Sequence, residues 1–251
     1  MGGWTPALWF LASEQGAWYD PSDMSTLFQD DAGTTPVTAV GQPVGKMLDK
    51  SGRGNHATQA NASNKPILQS IGGKLALVFD GVDDFLSTAS IDFTATDKMT
   101  EVLGISVNSG TFGVIHELSA SLASNTGAFA RLSGVVSSRH YPTVIRGSAA
   151  VNGYAGMASS TQPDLCVLSA THDIAGDLTR ARRNGVYGGD ETTDKGTGNL
   201  GNYPLYIGRR GGTSSSAKMD LYQFVLRGAA TTTPDLETGE TFTAGKTGIT
   251  L

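Results

Sequence analysis

The sequence has 251 residues, of which 39% are hydrophobic and 16% charged, with 33 glycines and a net charge of -5. That balance excludes a helical bundle, which needs more Leu, Glu and Lys, and suits short strands joined by many turns. No basic run tracks a phosphate backbone, so nucleic acid is not an expected partner, and no stretch reaches the ~18 consecutive apolar residues of a membrane span.

All three tryptophans, Trp4, Trp9 and Trp18, fall within residues 1–20. Trp18 and Tyr19 read as a core strand running into the turn Asp20-Pro-Ser-Asp23. Trp4, Trp9 and Phe10, in an apolar segment at 1–15, read as a docking surface for a partner. That segment has no positive n-region, so it is a poor signal peptide. Residues 24–50 read as a loop with short strands, and 51–66 as polar turns.

Residues 75–80 (Leu-Ala-Leu-Val-Phe-Asp) are a strand bounded by Gly72-Gly73 and Gly81, with Leu86 beginning a returning partner. Residues 102–107 and 113–118 flank Asn108-Ser-Gly-Thr111, which predicts a hairpin. Residues 129–132 and 143–146 are shorter strands, and 165–171 a longer one. Cys166 lies in that apolar stretch and reads as a buried small hydrophobe that needs no oxidative folding. Asn184-Gly185 is a strong hairpin turn. The adjacent Arg180, Arg182 and Arg183 read as a solvated strand end or turn. Residues 205–208 and 221–226 are strands, the second apolar on both faces as an inner strand is. A threonine before Pro234 predicts a helix at about 234–245, within a C-terminal extension at 230–251, although Gly239 weakens it. Strands at this spacing without long helices predict one all-β domain, a two-sheet antiparallel jelly-roll sandwich.

Two linked segments carry a resemblance: Asp49-Lys-Ser-Gly-Arg-Gly-Asn-His-Ala57 and Val78-Phe-Asp-Gly-Val-Asp-Asp-Phe-Leu86. With residues 16–23, 30–36 and 41–45, and further matches at 206–208, 221–226 and 243–248, the chain resembles the laminin G-like (concanavalin A-like) jelly rolls of tailed phages and prophages. That resemblance implies a non-enzymatic virion structural protein made in the host cytoplasm. It would be a homo-oligomeric tail, baseplate or receptor-binding module that touches other virion proteins or a host glycan. A capsid decoration protein is the alternative, and a divergent glycoside hydrolase a third possibility. The family also binds Ca²⁺ at loop rims, which here implicates Asp80, Asp83 and Asp84. The same acids have a plain use as acceptors of turn N–H groups.

The residues themselves offer little catalysis. A retaining glycosidase needs two carboxylates about 5 Å apart, and Glu101, Glu117 and Glu191 are isolated in sequence. His56, His116, His140 and His172 show no zinc spacing, and His172 reads as a satisfied structural histidine. No cofactor is expected apart from Ca²⁺. The loop at 49–57 lacks the phosphate-loop spacing and reads as a brace. For sugar binding, Tyr141, Tyr154, Tyr187 and Tyr203 lie in turn-rich stretches beside Asn152, Asn184, Asn199 and Asn202, and an aromatic face with amide neighbours suits a sugar ring.

Overall fold

The computed structural model describes residues 3–10, 14–119, 122, 125–149, 153–211 and 214–251. After a 3-10 turn at Pro6–Phe10 come four short strands, β1 (Gly16–Tyr19), β2 (Leu27–Phe28), β3 (Lys46–Met47) and β4 (Ala57–Thr58). Longer strands follow: β5 (Ile67–Ile71), β6 (Lys74–Asp80), β7 (Leu86–Asp92), β8 (Lys98–Val107) and β9 (Val114–Leu118). Next are β10 (Phe129–Leu132), β11 (Val135–Val136), β12 (Arg139–Ile145), β13 (Ala155–Met157) and β14 (Asp164–Asp173). The last are β15 (Leu178–Arg183), β16 (Val186–Glu191), β17 (Asn202–Ile207), β18 (Lys218–Arg227) and helix α1 (Thr233–Thr247).

Among the described residues these strands form two antiparallel sheets packed as a jelly-roll sandwich. The first has eight strands in the order β16-β15-β14-β8-β18-β6-β5, with β1 also on β18. The second has ten, in the order β11-β12-β10-β9-β17-β7-β4-β3-β2, with β13 on β12. Alternation along each strand sends one set of side chains between the sheets. Leu103 and Ile105 of β8, Leu168 of β14 and Phe224 of β18 meet Phe129 of β10 and Leu205 of β17 there.

The opposite set faces outward, and on the eight-stranded sheet it is not left to water. Val102, Val167 and Val225 pack with Trp9, Phe10 and Trp18 and with Leu236 and Ala244 of α1. The helix is thus a third layer rather than an extension. It starts where predicted, with the Thr232 hydroxyl capping Asp235 N and proline in the first turn, and it runs two residues past 245. Gly239 is a seat for Trp9: a Cβ there would lie 2.5 Å from the indole. The feature that weakens the helix as a local sequence is what lets it dock.

Two predicted pairings fail. Residues 102–107 and 113–118 do not form a hairpin, because β8 pairs with β14 and β18 while β9 pairs with β10 and β17. Likewise Leu86 does not begin a partner of β6, since β7 joins β17 and β4 in the other sheet. In both places the turn reverses the chain but carries it across the sandwich. The Asn184-Gly185 turn does form a hairpin, β15–β16, with φ of 51° and 74° at its two central residues. No helix among the described residues is long and apolar enough to cross a membrane.

Candidate functional site

Trp9 and Phe10 do not offer a docking surface, because they are 6% and 4% exposed beneath α1. Trp18 is buried as expected, but under the helix and not between the sheets. Trp4 remains half-buried, its ring centroid 5.4 Å from Trp9 and 5.7 Å from Phe242.

The four tyrosines do not converge. Tyr141 is fully buried, and its hydroxyl donates to Asp164 at 2.8 Å. Tyr154 packs on a side cluster with Val114 and Val144. Tyr203 leans on the main core and donates to the Thr126 carbonyl. Only Tyr187, on the edge strand β16, is well exposed, at 51%. Of the neighbouring asparagines, Asn152 lies outside the described residues, and Asn184 is turned to the Val167 N–H.

The loop at 49–57 is a brace. Asp49 accepts from the backbone N–H groups of Trp18, Ser51 and Asn55.

Asp80, Asp83 and Asp84 do come together at the β6–β7 turn, with one carboxylate oxygen of each within 4.8 Å of the others. Asp80 accepts from Val82 N, and Asp84 from Asp80 N, so both also hold the turn. Burial, reinforced by the charges of Asp80 and Asp83, pushes the Asp84 carboxyl up to about 6.

A constellation that sequence spacing hid lies between the sheets. Glu101 Oε1 accepts from Arg131 Nε at 2.9 Å and Nη2 at 2.6 Å, and from the Thr143 hydroxyl at 3.0 Å. Glu101 Oε2 is 2.6 Å from His116 Nε2, and His172 Nε2 is 3.6 Å from Oε1. A carboxylate only accepts, so His116 carries its proton on Nε2. Burial alone would raise the Glu101 carboxyl. Arg131 and His116 more than offset it and hold the group well below the usual carboxylate range. Burial lowers both histidines, partly opposed by Glu101. Glu101, which looks isolated in sequence, is thus one cluster with the two histidines and Arg131. Strand alternation puts each on an inner face, but only the fold brings the faces together. All are sealed from solvent, with Glu101, His116 and Arg131 at 0% exposure, so the cluster meets no ligand.

The accessible polar site is on the outer face of the eight-stranded sheet. Cross-strand register aligns Thr171 with Arg180, and Arg182 with Tyr187. These four side chains, with Thr231, Thr233 and Leu236 at the start of α1, line a cleft of about 490 Å³. Arg182 is not a solvated turn residue. It clamps Glu240 of α1 with Nε at 2.9 Å and Nη2 at 3.1 Å, and reaches Glu237 at 3.2 Å. Arg183 pairs with the buried Asp164 on the other face, and Arg180 with Asp190 across the hairpin at 3.1 Å. The cleft therefore presents one exposed phenol ring, two oriented guanidinium groups and three hydroxyls. That set can stack on a flat face and hydrogen-bond a polyhydroxyl ligand. A smaller hollow of about 220 Å³ lies on the far side of Tyr187, beside Met157 and Arg183.

No protein-family model matches the sequence, and no curated protein is similar to it in sequence. Solved structures are similar in fold. Domain 4 of an extracellular arabinanase from Geobacillus stearothermophilus, in complex with arabinotriose, is 10% identical with a TM-score of 0.63, over 90% of this chain and 98% of that one. An arabinofuranosidase complexed with arabinofuranosyl-α-1,2-xylobiose is 14% identical with a TM-score of 0.65, over 97% of this chain but 65% of that one. A Trypanosoma rangeli sialidase in complex with an inhibitor is 13% identical with a TM-score of 0.54, over 87% of this chain and 35% of that one. The chain thus spans a whole domain of the first but only part of the other two.

These neighbours correct the expectation of a non-enzymatic virion component, tail module and capsid cement alike. The fold is carried here by carbohydrate-active proteins, two of them enzymes complexed with a sugar or an inhibitor. The exclusion of an enzyme falls with it.

Proposed function

We propose that this chain is a carbohydrate-recognising β-sandwich that takes a sugar chain in the cleft between the β15–β16 hairpin and α1. The observation that carries this is the exposed Tyr187 ring standing beside Arg180, Arg182 and the threonine hydroxyls. Sugar rings present a C–H face that packs on an aromatic ring and a rim of hydroxyls for polar groups to hold, and a cleft of a few hundred Å³ suits a short oligosaccharide. The arabinose-bearing ligands of the fold's neighbours support starting with arabino- and xylo-oligosaccharides. The test is titration of the purified chain with such oligosaccharides, with Tyr187→Ala and Arg180→Ala alongside. Binding in the cleft about tenfold weaker in both variants is expected, and binding unchanged in both would remove the cleft. Following the same mixtures for released reducing ends reads any turnover.

The second reading concerns the Asp80, Asp83 and Asp84 turn. Three carboxylates are the hard oxygen donors that Ca²⁺ prefers, and a divalent ion would offset the burial and the mutual repulsion that together raise Asp84. Ca²⁺ there would brace the β6–β7 crossing. A melting temperature that rises with Ca²⁺ in the native chain but not in Asp83→Asn is the expected result, and an identical response in both would end this reading.

A further inference from the structure

A second aromatic hollow opens on the other flank of α1. It has a volume of about 460 Å³ and is lined by Trp4, Pro234, Glu237, Thr238, Thr241 and Phe242. Resting on the proposal that the chain binds carbohydrate, we infer that this groove is a separate sugar subsite, selective for a neutral sugar residue and closed to acidic ones.

The aromatic wall is built in advance. Trp4 meets Trp9 at 75° and Phe242 at 69°, edge-on in both cases, so its indole is oriented by packing before any ligand arrives. Trp9 in turn is seated against Gly239, which fixes the platform to the helix. An aromatic ring held in this way loses little further freedom when a sugar stacks on it.

The polar wall is made of acceptors. The Thr238 hydroxyl donates to the Pro234 carbonyl at 2.9 Å, and the Thr241 hydroxyl to the Glu237 carbonyl at 2.8 Å. Each has one proton, already engaged, so both turn only lone pairs to a ligand. The third polar group is the Glu237 carboxylate, whose side chain is 54% exposed. The nearby cations are spoken for. Arg182 approaches Glu237 from the cleft side while gripping Glu240, and Lys246, 5.3 Å from the Phe242 ring, gives its ammonium to Asp20 at 2.8 Å and to Ser22. A ligand here must supply donors and an apolar face and must not bring negative charge. A neutral sugar does so with its hydroxyls and its C–H face, whereas a uronate would set a second carboxylate against Glu237.

The groove and the cleft are therefore complementary in polarity. The cleft offers guanidinium donors, and the groove offers acceptors. Between them stand the first turns of α1, with the Arg182–Glu237 pair crossing from one to the other.

The test uses the full chain, with arabinotriose and a galacturonate trimer as probes. Trp9 and Trp18 are buried, so Trp4 is the indole that a ligand can reach. Arabinotriose is expected to change tryptophan emission saturably, and the galacturonate trimer to bind about tenfold more weakly or worse. Trp4→Ala should abolish the emission change. Thr241→Arg, on the exposed flank of the helix, fills the groove without touching the platform and should weaken arabinotriose about tenfold, even if Trp4→Ala fails to fold. Tyr187→Ala should leave the emission change in place. An emission change that saturates at the same arabinotriose concentration in Thr241→Arg as in the native chain, or equal binding of the two trimers in the groove, would overturn the subsite while the cleft stands. Loss on Trp4→Ala and Thr241→Arg but not on Tyr187→Ala would uphold the groove as a site separate from the cleft, which is read by titration of Tyr187→Ala and Arg180→Ala. Binding of neither probe would remove both.

Discussion

The molecule contains two arginine–glutamate pairs in contrasting places. Arg131 and Glu101 lie between the sheets at 0% exposure, and Arg182 and Glu240 lie at the edge of the third layer at 14% and 1%. The chemistry is the same, yet the first pair is sealed among histidines and the arginine of the second lines an open cleft. A buried pair must be satisfied completely, because either charge left alone is costly. A rim pair can orient a guanidinium and still leave its free edge to a ligand. Strong pKa shifts mark the sealed cluster, where burial and the neighbouring charges impose them. Perturbed ionisation is thus a guide to burial in this protein before it is a guide to function.

The largest expected effect breaks the inner pair. Glu101→Ala strands Arg131 and should cost about 3–5 kcal/mol of stability in a denaturant melt. A loss no larger than that of Glu240→Ala would erase the distinction drawn between the two places. Glu240→Ala removes the clamp on Arg182 and the acceptor of the Ser169 hydroxyl. Because water and Glu237 still reach Arg182, a smaller loss of about 1.5–3 kcal/mol is expected.

Acid separates the two regions next. His116 and His172 have folded values below the ~6.5 of a free histidine, because burial disfavours the imidazolium. As pH falls through ~6.5 the unfolded chain binds protons that the folded chain refuses, so stability present above that pH is lost on acidification. Glu101, also lowered, adds to the loss below ~4.3. A melting temperature that stays level from neutral pH down to about 4 would contradict this. Gly239→Ala tests the outer layer. Alanine favours a helix by ~1 kcal/mol, but crowding Trp9 costs about 1–3 kcal/mol, so the variant is expected to melt lower. Tyr187→Ala should change stability least, within about 0.5 kcal/mol, while weakening oligosaccharide binding in the cleft about tenfold.

The parts of this architecture that were legible in the sequence are local. Residues 75–80 and 165–171 announce themselves as strands by apolar runs between turn residues, and Asn184-Gly185 as a hairpin by the left-handed backbone it needs. The turns at 81–85 and 108–113 were misassigned for a physical reason. A turn specifies a reversal, but not whether the next strand pairs with the last or crosses to the facing sheet. Glu101, His116, Arg131 and His172 were invisible as a group because their meeting depends on four strands in two sheets. The cleft was glimpsed through Tyr187 alone. Its arginines looked like a solvated turn because their partners, Asp190 and Glu240, are ten and fifty-eight residues from Arg180 and Arg182.

One pairing bears on how the chain reaches this state. β18 stands at the centre of the eight-stranded sheet, between β8 on one side and β6 and β1 on the other, with Gly16 opposite Arg227. Its neighbours are made long before it, so during synthesis they wait with unpaired edges until residue 227 is available. Closing so long a loop is slow, and sheets dominated by distant pairings fold slowly. A fragment that stops before β18 lacks the strand that joins β8 to β6 and β1. It would expose those edges to pairing between molecules, as uncovered strands do.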